Sequence, residues 1–248
     1  MTLTTTQDDN GFRIRGDQPT RVDAFVDAAF AFAVTLLVIA IGHVPSSVTD
    51  LVQALRGVPA FAASFYVIAR LWQTHRHWSR RYGIEDDYST RLSLSLVFMV
   101  LVYVYPLRMV AELTLAGISN GFLAETPIDI TTVTELRELY VVFGVGYALT
   151  AVIFLMLHNH ALALADELAL SAGERIRTRI VRARWLATLL ISLASIFLAL
   201  VLPMGRGQSV PLDSAPGLIF GLIYVMRVVF ARRERRLLAT EATAENAR

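Results

Sequence analysis

Six stretches of this chain are apolar over lengths that suit a membrane crossing, with short polar or arginine-bearing segments between them. They run from Arg21 to Gly42, Leu55 to Trp72, Leu92 to Ala116, Leu139 to Leu157, Trp185 to Leu202 and Pro216 to Phe230. A transmembrane helix takes roughly 17–25 mostly apolar residues at about 1.5 Å of rise each. The pattern therefore predicts an all-α, polytopic membrane protein with six transmembrane helices. Breakers fall near the predicted ends: Pro45, Gly117, Pro203 and Gly205 follow spans, and Pro211 and Pro216 precede the last. Ser119 to Arg137 reads as a polar external loop, and Ala161 to Arg184 as an amphipathic extension of the fourth and fifth helices. The tail from Ala231 is expected to continue the sixth helix before fraying.

Charge orients this scheme. With six spans both termini share one side, and the connections on that side carry Arg76, Arg80, Arg81 and Arg91, then Arg175, Arg177, Arg179, Arg182 and Arg184. The tail adds Arg232, Arg233, Arg235 and Arg236, whereas the opposite connections carry only Arg56, Arg137 and Arg206 at their edges. By the positive-inside rule the arginine-rich side is cytoplasmic. The expected organisation is a cytoplasmic N-terminal segment over 1–20, a six-helix domain over 21–231 and a cytoplasmic tail over 232–248. Met1 to Asp17 lacks the charged head, apolar middle and cleavage site of a signal peptide, so the first span is expected to remain in the mature protein.

Composition supports lipid as the main solvent. Hydrophobic residues make up 55% of the chain, above the roughly 45–50% apolar share of soluble domains, and mean hydropathy is +0.52. A net charge of +2, clustered between apolar runs, reads as topology and not as a nucleic-acid footprint. Cysteine is absent, which excludes disulfides and thiolate chemistry. All basic residues are arginine, as in a GC-rich bacterial coding sequence.

The first span carries the candidate chemistry. It opens Arg21-Val22-Asp23-Ala24-Phe25-Val26-Asp27 and continues through alanines and phenylalanines to Thr35-Leu36-Leu37. An ionised Asp costs about 2.5–3.5 kcal/mol at the centre of a span and less near the interface, so Asp27 either reaches headgroups and water or has a protein partner. The second span runs the other way and brings Arg70, Trp72, His75 and His77 to the same depth, where they can donate to a carboxylate. On the first helix Phe25, Ala28, Phe32, Thr35 and Ile39 recur at steps of three and four and form one stripe. Asp27 lies about 100° from Ala28 on the same wheel. Such a stripe serves either helix packing or a pore.

The string Arg21, Phe25, Asp27 followed by Phe-Ala-Phe-Ala-Val-Thr-Leu-Leu-Val resembles the first-helix signature of prokaryotic relatives of the endosomal and lysosomal potassium channel. That signature reads R-x-x-x-F-S-D, then an alanine-rich stretch ending T-L-L. Trp72 and His75 on the second helix and the Tyr105-Pro106 pair on the third are also similar. The resemblance implies a potassium-selective or weakly selective cation channel, a homotetramer whose first helices surround the pore. It implies pore-lining roles for Phe32, Thr35 and Ile39, and a structural network of Arg21, Phe25, Asp27, Trp72 and His75. Two positions depart: the family serine is Val26, which cannot hydrogen-bond, and Phe32 stands where isoleucine or leucine is usual. No T-V-G-Y-G filter and no acidic residue on the stripe are present, leaving a hydrophobic constriction that gates by dewetting.

Other constellations carry less. His75 with His77, and His158 with His160, are spaced by two, so neither pair shares a helix face as an i, i+4 chelate would. No metal site or resident cofactor is expected, only permeant potassium. Glu85, Asp86 and Asp87 read as a solvated or salt-bridged turn, and Arg108 with Glu112 as an i, i+4 pair near the outer boundary. No nucleophile-elbow, P-loop or dinucleotide motif sits in a supporting context, so the chain reads as no enzyme. Besides the channel, a secondary transporter would need inverted repeats and broken midplane helices, which are not found. A non-conducting membrane scaffold would use the same helices.

Overall fold

The computed structural model describes residues 8, 11–39, 46–119, 132–202 and 215–246. Among them every regular element is helical: α1 (Arg21–Ile39), α2 (Val48–Arg56), α3 (Val58–Tyr82), α4 (Asp87–Ser119), α5 (Val133–Ala163), α6 (Ala172–Val201), α7 (Ala215–Leu218) and α8 (Leu222–Asn246), with a 3-10 turn at Ile219–Gly221. Five helical stretches are long and apolar enough to cross a membrane, and α2 with α3, bent by 45° at Gly57, adds a sixth. The all-α multi-pass architecture is the one the hydropathy pattern predicts.

The helices outrun the predicted spans at the arginine-rich end. The second span was expected to close at Trp72, yet α3 continues to Tyr82 and stops at Gly83, whose φ of 58° forms a left-handed C-cap. The fourth and fifth extend as expected, to Ala163 and back to Ala172, where Ser171 and Glu174 form a capping box. Gly117 does not end the third span, because α4 carries on to Ser119. A single glycine inside a helix costs only about 1 kcal/mol, too little to stop a long apolar helix. The predicted external loop is narrower at both edges, since Ser119 closes α4 and Val133 to Arg137 already belong to α5. Pro45, Pro203, Gly205, Pro211 and the rest of that loop lie outside the described residues. Pro216 falls in α7, and no break separates the sixth span from its tail.

Packing centres on α5, which lies along α6 and against α4, while α1 leans on α3 and α4. Small residues permit the close approach, as is usual between membrane helices. A Cβ on Gly144 would lie 2.6 Å from Cγ1 of Ile196, and one on Gly146 would collide with the Tyr103 ring. Tyr103 in turn donates its hydroxyl to the Phe143 carbonyl at 3.2 Å.

Several polar side chains between helices are paired across them. Trp78 donates to the Leu157 carbonyl at 3.1 Å, and Tyr82 shares a 2.7 Å hydrogen bond with Thr178. Arg108 binds Glu112 at 2.7 Å and donates a second bond, 3.0 Å long, to the Leu37 carbonyl of α1. The i, i+4 pair read from the sequence is therefore also a strap between α4 and α1, both of its side chains being buried.

The polar N-terminal segment docks, which its composition did not announce. Phe12 is buried edge-to-face against Tyr82, with the Arg81 guanidinium over its ring. Arg15 forms a two-pronged bond to Glu174 at 3.0 and 2.9 Å, and the Arg15 and Gly16 amides donate to the Arg80 carbonyl. Gly83 admits this segment, since a Cβ there would sit 2.9 Å from the Arg15 carbonyl carbon.

The acidic turn is salt-bridged. Asp86 accepts from the Ser89 amide at 2.7 Å and meets His160 of α5. Burial raises the Asp86 carboxyl, but the Ser89 and His160 hydrogen bonds outweigh it and hold the group below the usual carboxylate range. Its stabilising contribution is therefore complete above about pH 4 and disappears as pH falls through the lower, folded value. Amide exchange in residues 84–90 should accelerate below about pH 4 in the wild type and be insensitive to pH in Asp86→Asn, after correction for intrinsic rates. Separately, Gly146→Leu should lower the thermal midpoint of the detergent-purified protein, with about 1–3 kcal/mol of overpacking strain.

Candidate functional site

The first helix is covered on one side only. Val26, Phe30, Ala33 and Leu37 are buried against α3 and α4, at helical steps of three and four that define one face. The opposing stripe of Phe25, Ala28, Phe32, Thr35 and Ile39 is exposed throughout. Phe25 and Phe32 are each 55% exposed and Ile39 64%, so among the described residues three large apolar side chains are left mostly uncovered. Val26, which replaces the polar residue of the resembled signature, points into the core at 0% exposure. A valine there fills space between helices and needs no hydrogen bond.

One hydroxyl interrupts the stripe. Thr35 donates to the Ala31 carbonyl one turn back at 3.2 Å, a common way for a membrane helix to absorb a hydroxyl proton. The donation leaves the oxygen lone pairs facing outward, free to accept.

Asp27 finds its partner on α3. Trp72 Nε1 donates to Asp27 Oδ1 at 2.6 Å, while Arg76 packs over the Trp72 ring at 5.4 Å. The other donors proposed at this depth go elsewhere. His75 is buried and meets the Ser93 hydroxyl of α4 at 2.9 Å. Arg70 donates to Gln73 at 2.8 Å, one turn along its own helix. His75 is thus a link from α3 to α4, bonding Ser93 while Trp72, one turn away on the same helix, bonds Asp27 of α1. Arg21 and Phe25 are exposed at the start of α1, where Asp23 and Thr20 cap the helix by exchanging hydrogen bonds of 3.0 Å.

Two contributors escaped the sequence reading. Ser93 sits in an apolar run, and its only signal is being a hydroxyl where leucine would do. The Arg108 bond to the Leu37 carbonyl ties down the far end of α1, opposite the Trp72 bond. The first helix is accordingly fixed at both ends by polar bonds and between them by apolar packing. Among the described residues no group of His, Asp and Glu could hold a metal ion.

Trp72→Phe and Asp27→Asn should each weaken the α1–α3 contact by about 1–2 kcal/mol, the range of a charge-assisted hydrogen bond partly shared with solvent. The expected readout is less assembled oligomer on size exclusion and a lower thermal midpoint. The double variant should be no worse than the more damaging single one. Additive losses would show that the two side chains act independently.

Comparison with known proteins converges on this same region. Residues 21–106, which span α1 to the middle of α4, match the family described as "Endosomal/lysosomal potassium channel TMEM175". A protein named "Potassium channel" from Marivirga tractuosa is 30% identical over 236 residues, covering 92% of this chain and 94% of that protein. Among solved structures, a variant of the potassium channel MtTMEM175 in complex with a nanobody-MBP fusion protein matches with a TM-score of 0.75. It is 28% identical, over 93% of this chain and 100% of that one. A lysosomal potassium-selective channel TMEM175 homolog from Chamaesiphon minutus shares the fold at a TM-score of 0.55 and 22% identity, over 86% of this chain and 96% of that one. With a relative this similar along nearly its whole length, and with the first-helix signature matched, the chain belongs to the TMEM175 potassium channel family and is not an enzyme.

Proposed function

We propose that this chain forms a homotetrameric potassium-selective or weakly selective cation channel in the bacterial inner membrane, with both termini cytoplasmic. Its first helices surround the pore and Phe32, Thr35 and Ile39 line it. The observation that carries this reading is the uncovered stripe on α1, a helix otherwise buried by α3 and α4 and pinned at both ends. A partner of the same kind satisfies that face when copies meet around an axis. The fourfold number follows the family resemblance, and potassium follows the names of the relatives.

The chemistry of such a pore is that of a hydrophobic constriction. Rings of Phe32 and Ile39 exclude bulk water, and a narrow apolar neck closes to ions by dewetting. Thr35 supplies the one oxygen along this path. Its proton is committed to Ala31, so the lone pairs can partly replace the hydration shell of a passing cation. An anion gains nothing from that oxygen, which biases the pore toward cations. Phe32 narrows the neck beyond what an aliphatic residue would.

The decisive experiment is ion flux into liposomes holding the purified protein, under a potassium gradient with a proton ionophore present and sodium and caesium as comparisons. Flux favouring potassium or caesium is expected. A folded oligomer that passes no ion would identify a non-conducting scaffold. Phe32→Ala should raise the conductance or weaken selectivity by roughly severalfold, since it widens an apolar gate. An unchanged current would take Phe32 out of the pore wall.

A further inference from the structure

A second feature of the chain has no part in the pore. A cavity of about 370 Å³ opens between α3, α4, α5, α6, the 3-10 turn and α8, and no residue of α1 lines it. Its lining changes along its length. One end is built from Leu107, Phe143, Tyr147, Ile191 and Phe220, with the Phe220 ring edge-on to Phe143 and Tyr147 at 5.0 and 5.3 Å. Toward the arginine-rich end of the helices the lining becomes Arg70, His77, Arg81, Arg184 and Arg227. Helix geometry separates the two ends by about 10 Å, seven residues lying between Arg184 and Ile191 and between Phe220 and Arg227.

The cations are only partly neutralised. Arg81 pairs with Asp8 at 2.7 Å. Among the described residues, Arg70, Arg184 and Arg227 form no ion pair. Arg70 reaches only the neutral amide of Gln73, and the buried Nε of Arg184 has no hydrogen-bond partner. On α8, Glu234 faces the Arg177 guanidinium at 3.6 Å. Half-buried guanidinium groups gathered at one place, with Glu234 acting on Arg184 only from beyond ion-pair distance, are costly unless something anionic completes them.

We propose that this cavity binds an anionic phospholipid. The phosphate sits against Arg184, Arg227 and Arg70, and an acyl chain lies along Phe143, Tyr147, Ile191 and Phe220. Cations at the interface level above an apolar shaft match a headgroup and the upper part of its tail in order, and basic recesses between membrane helices hold anionic lipids in this way. A free phosphate would satisfy the arginines and leave the apolar shaft empty.

Trp78 and Trp185 line the cavity and report on it directly. The full-length protein in detergent is titrated with phosphatidylglycerol carrying brominated acyl chains, and in parallel with the equally brominated phosphatidylcholine, while tryptophan quenching is followed. Phosphatidylglycerol should half-saturate quenching at about a tenfold lower concentration, as expected for a net charge read by more than one arginine. The double variant Arg184→Gln, Arg227→Gln should lose that preference, and Arg232→Gln, Arg235→Gln on the tail should keep it. Equal quenching by the two lipids in the wild-type protein overturns the proposal, and that comparison decides it even where the double variant fails to fold. A preference that survives in a folded double variant overturns it too. Displacement of the brominated phosphatidylglycerol by an equal concentration of inorganic phosphate would assign the site to free phosphate instead. None of these readouts involves ion flux, so a channel that fails to conduct would leave the result standing.

Discussion

Inside a bilayer there is no water to complete a hydrogen bond, so each polar group at depth must be answered by another part of the protein. This chain meets that constraint with bonds that cross between helices. Trp72 reaches Asp27, His75 reaches Ser93, Tyr82 reaches Thr178, and Arg108 spans Glu112 and the Leu37 carbonyl. Each fixes a rotation and a depth that apolar packing alone leaves free, because one leucine surface slides over another at little cost. The orientation of α1 is the main consequence. With its two ends tied, its exposed stripe faces one direction.

That direction explains why so few residues carry the proposed function. The buried face of α1 is ordinary packing, and the replacement of a polar signature residue by Val26 is absorbed there without an unpaired group. The outward face needs no charge. An apolar neck with one hydroxyl ring is enough for a gate that depends on wetting, and a carboxylate on the stripe would instead trap cations.

The arginine-rich end is organised as a second, more polar layer. Gly83 lets the N-terminal segment dock under α3, and Glu174 serves at once as the capping residue of α6 and as the anchor for Arg15. Asp86 plays a comparable double role, capping the first turn of α4 while meeting His160 of α5. This layer leaves Arg70, Arg184 and Arg227 around a cavity whose floor is aromatic. Shared residues thus tie the ends of α3, α4, α5 and α6 together, and α3 both lines the cavity and holds Asp27 of α1 through Trp72.

The membrane spans and their helical type were legible in the sequence, with α2 and α3 together making one span, because hydrocarbon imposes a length and a composition that need no knowledge of neighbours. So was the stripe on α1, which is a matter of helical period, and so was Trp72 as a donor to Asp27, since antiparallel spans bring their ends to one depth. Which way each side chain turns was not. His75 and Trp72 lie three residues apart on one helix, yet one bonds α4 and the other α1, a choice made by where the neighbouring axes run. The docking of Phe12, the reach of Arg108 to Leu37 and the arginine-lined cavity unite residues distant in the chain. Local pattern holds no record of such meetings, and only the packed arrangement of the helices decides them.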